Sequence, residues 1–109
     1  MSFPRRGQLY WAQLDKRRPA LVISPDYRNA LASDVIVVPC STTVRLAPTH
    51  VVLQPGEGGL DWLSVLKCEQ LTTLHHDDVG RTPLGRPLSP RRVSEVERAI
   101  LRAIGIALP

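Results

Sequence analysis

Val35-Ile36-Val37-Val38-Pro39-Cys40 is a continuous apolar run, and its reading decides the fold. A strand with one wet face alternates apolar and polar side chains. A run without that alternation predicts a strand buried on both faces. Pro39 has no backbone N–H to give to a ladder, so the strand's end lies at an edge or a bulge. Working toward the N-terminus, Pro25–Ser33 reads as a turn or short helix. Pro19–Ser24 is a second strand, with Leu21, Val22 and Ile23 at its centre. The polar turn Asp15-Lys16-Arg17-Arg18 joins it to Gln8–Leu14, where Tyr10 and Trp11 favour a strand. So short a link predicts an antiparallel hairpin.

Toward the C-terminus, Ser41–Pro48 is a loop rich in hydroxyls. His50–Leu53 reads as a strand, Gln54–Gly59 as a Pro/Gly turn, and Trp62–Thr73 as holding one further strand. Gly80–Leu88 is a loop. Ser89 can then cap a helix with Pro90 at its first position. Val93, Val96, Ile100, Ala103 and Ile104 recur at helical spacing on one face, and Gly105 is a natural stop. The opposite face, with Arg91, Arg92, Glu95, Arg98 and Arg102, is read as solvated or as a contact for an acidic partner. Several short strands followed by one amphipathic helix predict a mainly β domain with α. The expected form is a small, strongly bent barrel with the helix packed on it.

The 109 residues fit a single domain, 1–109, able to fold without disulfide or metal. No apolar run is long enough to span a membrane, and no signal segment is seen, so a cytoplasmic location is expected. The net charge is +4, and twelve of the 14 cations are Arg. It is unevenly spread: residues 1–54 carry +4, residues 55–78 carry −4 and residues 79–109 carry +4. Arg favours bidentate phosphate contacts and stacking on bases, so a nucleic-acid partner is permitted. Cys40 and Cys68 lie in apolar runs without zinc-ligand spacing and are read as buried, reduced thiols. Neither a hydrolytic triad nor a phosphate-binding loop is visible. His75 and His76 are adjacent and are read as solvated loop residues. Two segments stand out: Arg17-Arg18-Pro19, a cation before a buried strand, and Pro39-Cys40-Ser41-Thr42-Thr43, three hydroxyls after one.

Five segments in order carry a resemblance. Arg6-Gly7-Gln8-Leu9-Tyr10-Trp11 is similar to an R-G-[DE]-[IV]-[YW] opening strand. Arg18-Pro19-Ala20-Leu21-Val22-Ile23-Ser24-Pro25 is similar to R-P-[AV]-[LV]-V-[IL]-S-P. Val37-Val38-Pro39-Cys40-Ser41-Thr42, Pro48-Thr49-His50-Val51 and Ser64–Thr73 match three further elements. The chain resembles the MazF/PemK family of type II toxin endoribonucleases. The resemblance implies an SH3-like barrel of the CcdB/PemK kind. It implies sequence-selective, ribosome-independent, metal-independent cleavage of single-stranded mRNA to 2′,3′-cyclic phosphate and 5′-hydroxyl ends, with no cofactor. It also implies a homodimer and a MazE-like antitoxin with an acidic C-terminal tail.

Residue by residue, the resemblance carries the active-site arginine onto Arg18 and the strand-end hydroxyl onto Ser41. A catalytic Arg/Asp pair found in one branch falls on Lys67 and Glu69. Those two side chains share a face if their stretch is extended, so Glu69 could take the 2′-OH proton while Lys67 screens phosphate. The alternative for that pair is a surface ion pair. The family's first loop is longer and carries Glu-Gln, whereas only Lys16 and Arg17 separate Asp15 from Arg18 here. That leaves Arg17 versus Arg18, and the general base, open. Thr42 and Arg45 are expected to contact substrate, with Trp62 as a stacking platform or a packing residue. Two other readings stand beside the nuclease. One is a CcdB-like gyrase-inhibiting toxin, disfavoured because the chain lacks that protein's C-terminal Trp-Gly-Ile. The other is a catalytically weak RNA-binding module.

Overall fold

The computed structural model describes residues 2–108. The elements are β1 (Leu9–Gln13), β2 (Arg17–Val22), α1 (Asp26–Leu31), β3 (Asp34–Ser41), β4 (His50–Leu53), β5 (Ser64–Lys67), β6 (Thr72–His75) and α2 (Pro90–Ala103). Short 3-10 turns occupy Glu57–Gly59, Cys68–Gln70 and His76–Asp78. All strand pairs are antiparallel, in the order β1-β2-β3-β5-β4, with β6 also on β3.

The apolar run lies in β3, the strand on which the fold turns. β2 pairs with it through Ala20↔Pro39, Leu21↔Val38 and Val22↔Val37. β6 pairs along its first half, Asp34 to Val37, and β5 at its end, Cys40 and Ser41. Val35, Val37, Val38 and Cys40 are buried, as the lack of alternation predicts. Val38 and Cys40 face a core shared with Leu9, Leu21, Leu53, Leu66 and Val96. Val35 and Val37 face a second cluster with Tyr10, Ala12, Ala20 and Val22. At roughly 1.5–3 kcal/mol for each fully buried large apolar side chain, the two-sided burial makes β3 the keystone. Pro39 lies where β3 passes from β6 to β5, so its missing N–H is tolerated.

The stretch Trp62–Thr73, expected to hold one strand, holds β5 and also the start of β6. Along β3, Cys40 pairs with Leu66 and Val37 with Thr72, so three steps on β3 face six on its partner. The surplus is taken up by the 3-10 turn Cys68–Gln70, whose Cys68 is buried in the main core.

The open edge of β1 is covered by the 79–88 loop. Gly80, Leu84 and Leu88 donate backbone N–H groups to the carbonyls of Trp11, Leu9 and Gly7, at 2.7, 2.8 and 2.8 Å. Covering the edge removes a site for strand-to-strand aggregation. Gly85 is needed in this loop, because a Cβ there would meet the Gly59 backbone at 2.7 Å.

Helix α2 starts as expected. Ser89 accepts from the Arg92 backbone N–H at 3.2 Å, and Pro90 follows it. Val96 and Ala99 are buried, while Val93 and Ile100 pack at the margin. Two expectations need correcting. Ile104 is exposed beyond the helix end, and Ala99 takes its place in the core. Arg92 is not solvated either. Its Nε and Nη2 bond both oxygens of Glu57 at 2.8 and 3.0 Å, and Nη1 bonds Glu95 at 3.0 Å, so it clamps the helix to the β4–β5 connection.

Candidate active site

Arg17 and Arg18 leave β2 on opposite faces, as successive strand residues must. Arg17 is exposed, and its guanidinium lies 4.7 Å from the centroid of the Trp11 ring. Arg18 is only 18% exposed and lines a groove of about 360 Å³ with Leu14, Asp15, Pro39, Lys67, Gln70 and Thr72. Its Nη2 donates to Asp15 Oδ2 at 2.9 Å. Its Nε is buried with no hydrogen-bond partner among the described residues. A buried unpaired donor on a charged group is costly. Lys67 shares the groove and has no ion-pair partner among the described residues. Two cations in one groove suit an anion, and the guanidinium fork suits phosphate oxygens. Of the two arginines, the geometry favours Arg18 for this role.

Ser41 ends β3, where the β2–β3 pairing has stopped at Ala20↔Pro39 and Ser41 pairs with Val65 of β5. Ser41 Oγ accepts from the Thr43 backbone N–H at 3.1 Å. Ser41 and Thr42 line a second concavity of about 210 Å³ together with Trp11, Asp61 and Trp62. Trp62 is 70% exposed, so core packing does not account for it. Cys40 forms part of the same wall. Burial pushes its thiol up to about 11, against the opposing effects of Ser64, the Ser41 backbone and the Arg18 charge. Cys68 is likewise pushed up by burial, to about 12. Both thiols are free and buried, as expected.

Glu69 does not share a face with Lys67. The chain leaves its strand at Lys67, and the 3-10 turn carries Glu69 away from the Arg18 groove. Its Oε1 accepts from Thr49 Oγ1 at 2.9 Å, and its Oε2 lies 3.1 Å from His50 Nε2. Burial opposes its charge, but the bonds from His50, its own backbone and Thr49 outweigh burial and hold the carboxyl below the usual carboxylate range. A carboxylate so engaged is a poor proton acceptor. The surface ion pair with Lys67 is not formed either. Instead Glu69, Thr49 and His50 tie down the base of the 42–49 loop, because His50 Nδ1 lies 2.8 Å from the Arg45 carbonyl. Arg45 itself is exposed on that loop and is not brought to Arg18.

Several site residues were missed in the sequence. Trp11 was read only as a strand former, although its place between buried Tyr10 and Ala12 turns it outward. Asp15 was read as turn polarity, but its spacing of three before Arg18 across a hairpin was a usable signal. Gln70 and Thr72 enter the groove only through the 3-10 step, which no local pattern announces. His76 departs from the solvated reading, since its Nε2 is buried without a partner, whereas His75 is exposed.

Comparison with known proteins bears on this geometry. Endoribonuclease MazF1 of Mycobacterium bovis is 30% identical over 110 residues, covering 100% of both chains. Endoribonuclease MazF3 of Mycobacterium tuberculosis is 34% identical over 99 residues, 91% of this chain and 89% of its own. A mycobacterial endoribonuclease, solved in complex with its cognate antitoxin, superposes with a TM-score of 0.85 at 31% identity, covering 97% of this chain and 99% of that one. A MazE–MazF structure from Deinococcus radiodurans, 23% identical with a TM-score of 0.81 over 98% of this chain and 100% of that one, shares the fold. The profile of the family described as "PemK-like, MazF-like toxin of type II toxin-antitoxin system" matches residues 5–104, and the chain belongs to that family.

Proposed function

We propose that this protein is the toxin of a type II toxin–antitoxin pair. In this reading it is a metal-independent endoribonuclease that cuts single-stranded mRNA, acting as a cytoplasmic homodimer. The observation that carries the reading is the buried, unpartnered Nε of Arg18 beside Lys67. Such a site binds one phosphate and favours the extra charge of a phosphorane. The ribose 2′-OH is the nucleophile. The new O2′–P bond forms as P–O5′ breaks, leaving a 2′,3′-cyclic phosphate and a 5′-hydroxyl. The 2′-OH proton must go to a base. Asp15 is the carboxylate lining this groove. Its Oδ2 is bonded to Arg18, but its Oδ1, unlike either oxygen of Glu69, makes no side-chain bond among the described residues. Asp15 takes that role in place of the Glu69 expected from the sequence. Lys67 supplies the proton to the leaving O5′. Arg18 holds the phosphate oxygens, and Ser41 and Thr42 bond the chain at the end of β3. Arg17, stacked on Trp11, and exposed Arg45 guide the backbone.

The mycobacterial relative solved with its cognate antitoxin supports an antitoxin partner for this chain. An acidic tail would satisfy the same cations as RNA. The concavities are open and small, which supports a groove completed by a second subunit. Among the described residues no helix is long and apolar enough to cross a membrane. The test is to incubate purified protein with a long RNA in EDTA and map the ends. Cyclic phosphate ends at recurring sequences are expected; intact RNA refutes the nuclease, and bound but uncut RNA leaves the weak binding module.

A further inference from the structure

The cleft beside the phosphate groove has a different chemistry. It is lined by the apolar Pro19, Cys40, Leu60 and Leu84, by the indoles of Trp11 and Trp62, and by the polar Ser41, Thr42, Ser64 and Asp61. Asp61 has no ion-pair partner among the described residues. A carboxylate accepts hydrogen bonds and donates none, and it repels phosphate. The occupant is therefore flat, apolar on its faces and equipped with N–H donors at its edge. At about 210 Å³ the cleft is smaller than the roughly 300 Å³ at the low end of ordinary ligand pockets, so it holds one ring system.

Position supplies the second argument. Arg18 and Pro19 are consecutive, as are Pro39, Cys40 and Ser41. Arg18 and Pro39 line the phosphate groove, while Pro19, Cys40 and Ser41 line the cleft. Successive strand residues face opposite sides. The two concavities therefore lie on opposite faces of β2 and β3 with no lining residue in common, and a single RNA strand would pass from one to the other around the ends of these strands.

We propose that the Trp11–Trp62 cleft receives one nucleobase beside the phosphate held by Arg18, and that Asp61 selects bases presenting an amino group over uracil. The inference rests on the nuclease reading above and specifies one recognition subsite of that enzyme. Amino-bearing guanine, cytosine and adenine present N–H groups toward a carboxylate. Uracil presents one N–H flanked by two carbonyl oxygens that the carboxylate repels. Stacking on the indoles adds affinity without selecting a base.

The experiment uses the full chain and its Asp61→Asn and Trp62→Ala variants. Uncleavable 2′-O-methyl oligonucleotides, differing at one position at a time, measure binding. The matching RNAs measure cleavage. Wild type is expected to discriminate against uracil at one position by about tenfold, the scale of one good side-chain-to-base contact. Asp61→Asn, which offers a donor as well as an acceptor, should reduce that preference to below about threefold and leave other positions unchanged. Trp62→Ala should weaken binding of every oligonucleotide by about tenfold and quench less on binding. An unchanged base profile in Asp61→Asn overturns the cleft, even where wild type cuts RNA. Base-selective binding without cutting supports the cleft and overturns the nuclease. Absence of any RNA binding overturns both.

Discussion

Arg18→Met should make the protein more stable and much less active at once. Arg18 Nε is buried without an acceptor, and an unsatisfied buried donor costs about 1–3 kcal/mol. The compensating ion pair is with Asp15, which is 73% exposed, and such a pair returns only about 0–1 kcal/mol. Methionine keeps an apolar stem of similar length against Leu14 and Pro39 while removing the orphan. The expected gain is about 1–2 kcal/mol, which for a domain near this size raises Tm by roughly 4–8 °C per kcal/mol. Activity should fall by about 10²–10³, the usual effect of deleting one preorganised donor to transition-state charge. Arg18→Lys keeps the charge but loses the fork, so it should recover only part of that loss. Thermal melts by circular dichroism and single-turnover cleavage of a labelled RNA measure the two sides. If Arg18→Met melts lower than wild type by a kcal/mol or more, the arginine is structural and the reasoning fails. Unchanged cleavage with normal folding would refute its place in the site.

Three further outcomes are expected. Asp15→Asn should lower cleavage about a hundredfold, while Glu69→Gln should cost less than about tenfold; the reverse order in single-turnover rates restores Glu69 as the base. Arg92 hydrogen bonds hold the Glu57 carboxyl below the usual carboxylate range, against the effect of burial. The folded-state value lies below the unfolded one, so this stability is present above the ordinary carboxylate pKa of about 4.3 and is lost as pH falls through the folded value. Arg92→Met should therefore cost about 1–2 kcal/mol at pH 7, discounted for partial exposure, and less at pH 3, as urea melts at the two pH values would read. Finally, Cys40 and Cys68, pushed up to about 11 and 12 by burial, should resist a thiol reagent at pH 8 in the native state. Both should react in denaturant, and fast native labelling would contradict their place in the core.

The fold was legible wherever burial writes a periodic pattern. Val35–Cys40 has no alternation because both its faces are covered, and Ser89-Pro90 announces its helix through a side-chain bond made within one turn. What failed needed distant partners. Nothing local in Ser64–Thr73 says that β3 will offer two successive pairings on one edge, so the 3-10 step at Cys68–Gln70 was hidden. Glu69 was misplaced for the same reason, since the same-face argument holds only for an unbroken strand. Arg92 was misread because its partner Glu57 lies 35 residues away in a turn. Of the candidate site the sequence offered residue types and not their grouping: Arg18 and Lys67 line one concavity and Ser41 and Trp62 another, and that division depends on β3 changing partners at Pro39.

That change of partners also explains why two cations line one groove here. Where β3 leaves β6 for β5, the sheet cannot close over the space at its end, and Arg18, Lys67 and Thr72 converge on the gap. A fully paired sheet would have filled it with backbone hydrogen bonds. Apolar packing would have required Arg18 to be replaced. The chain does neither: among the described residues Arg18 Nε has no hydrogen-bond partner, and Lys67 beside it in the groove has no ion-pair partner. Misplaced polarity of this kind lowers stability unless an incoming group completes it. The acidic middle of the sequence then divides by function. Glu57 and Glu69 carry bonds that hold α2 and the 42–49 loop. Asp61, without an ion-pair partner among the described residues, lines the aromatic cleft, where an N–H-bearing base would need an acceptor.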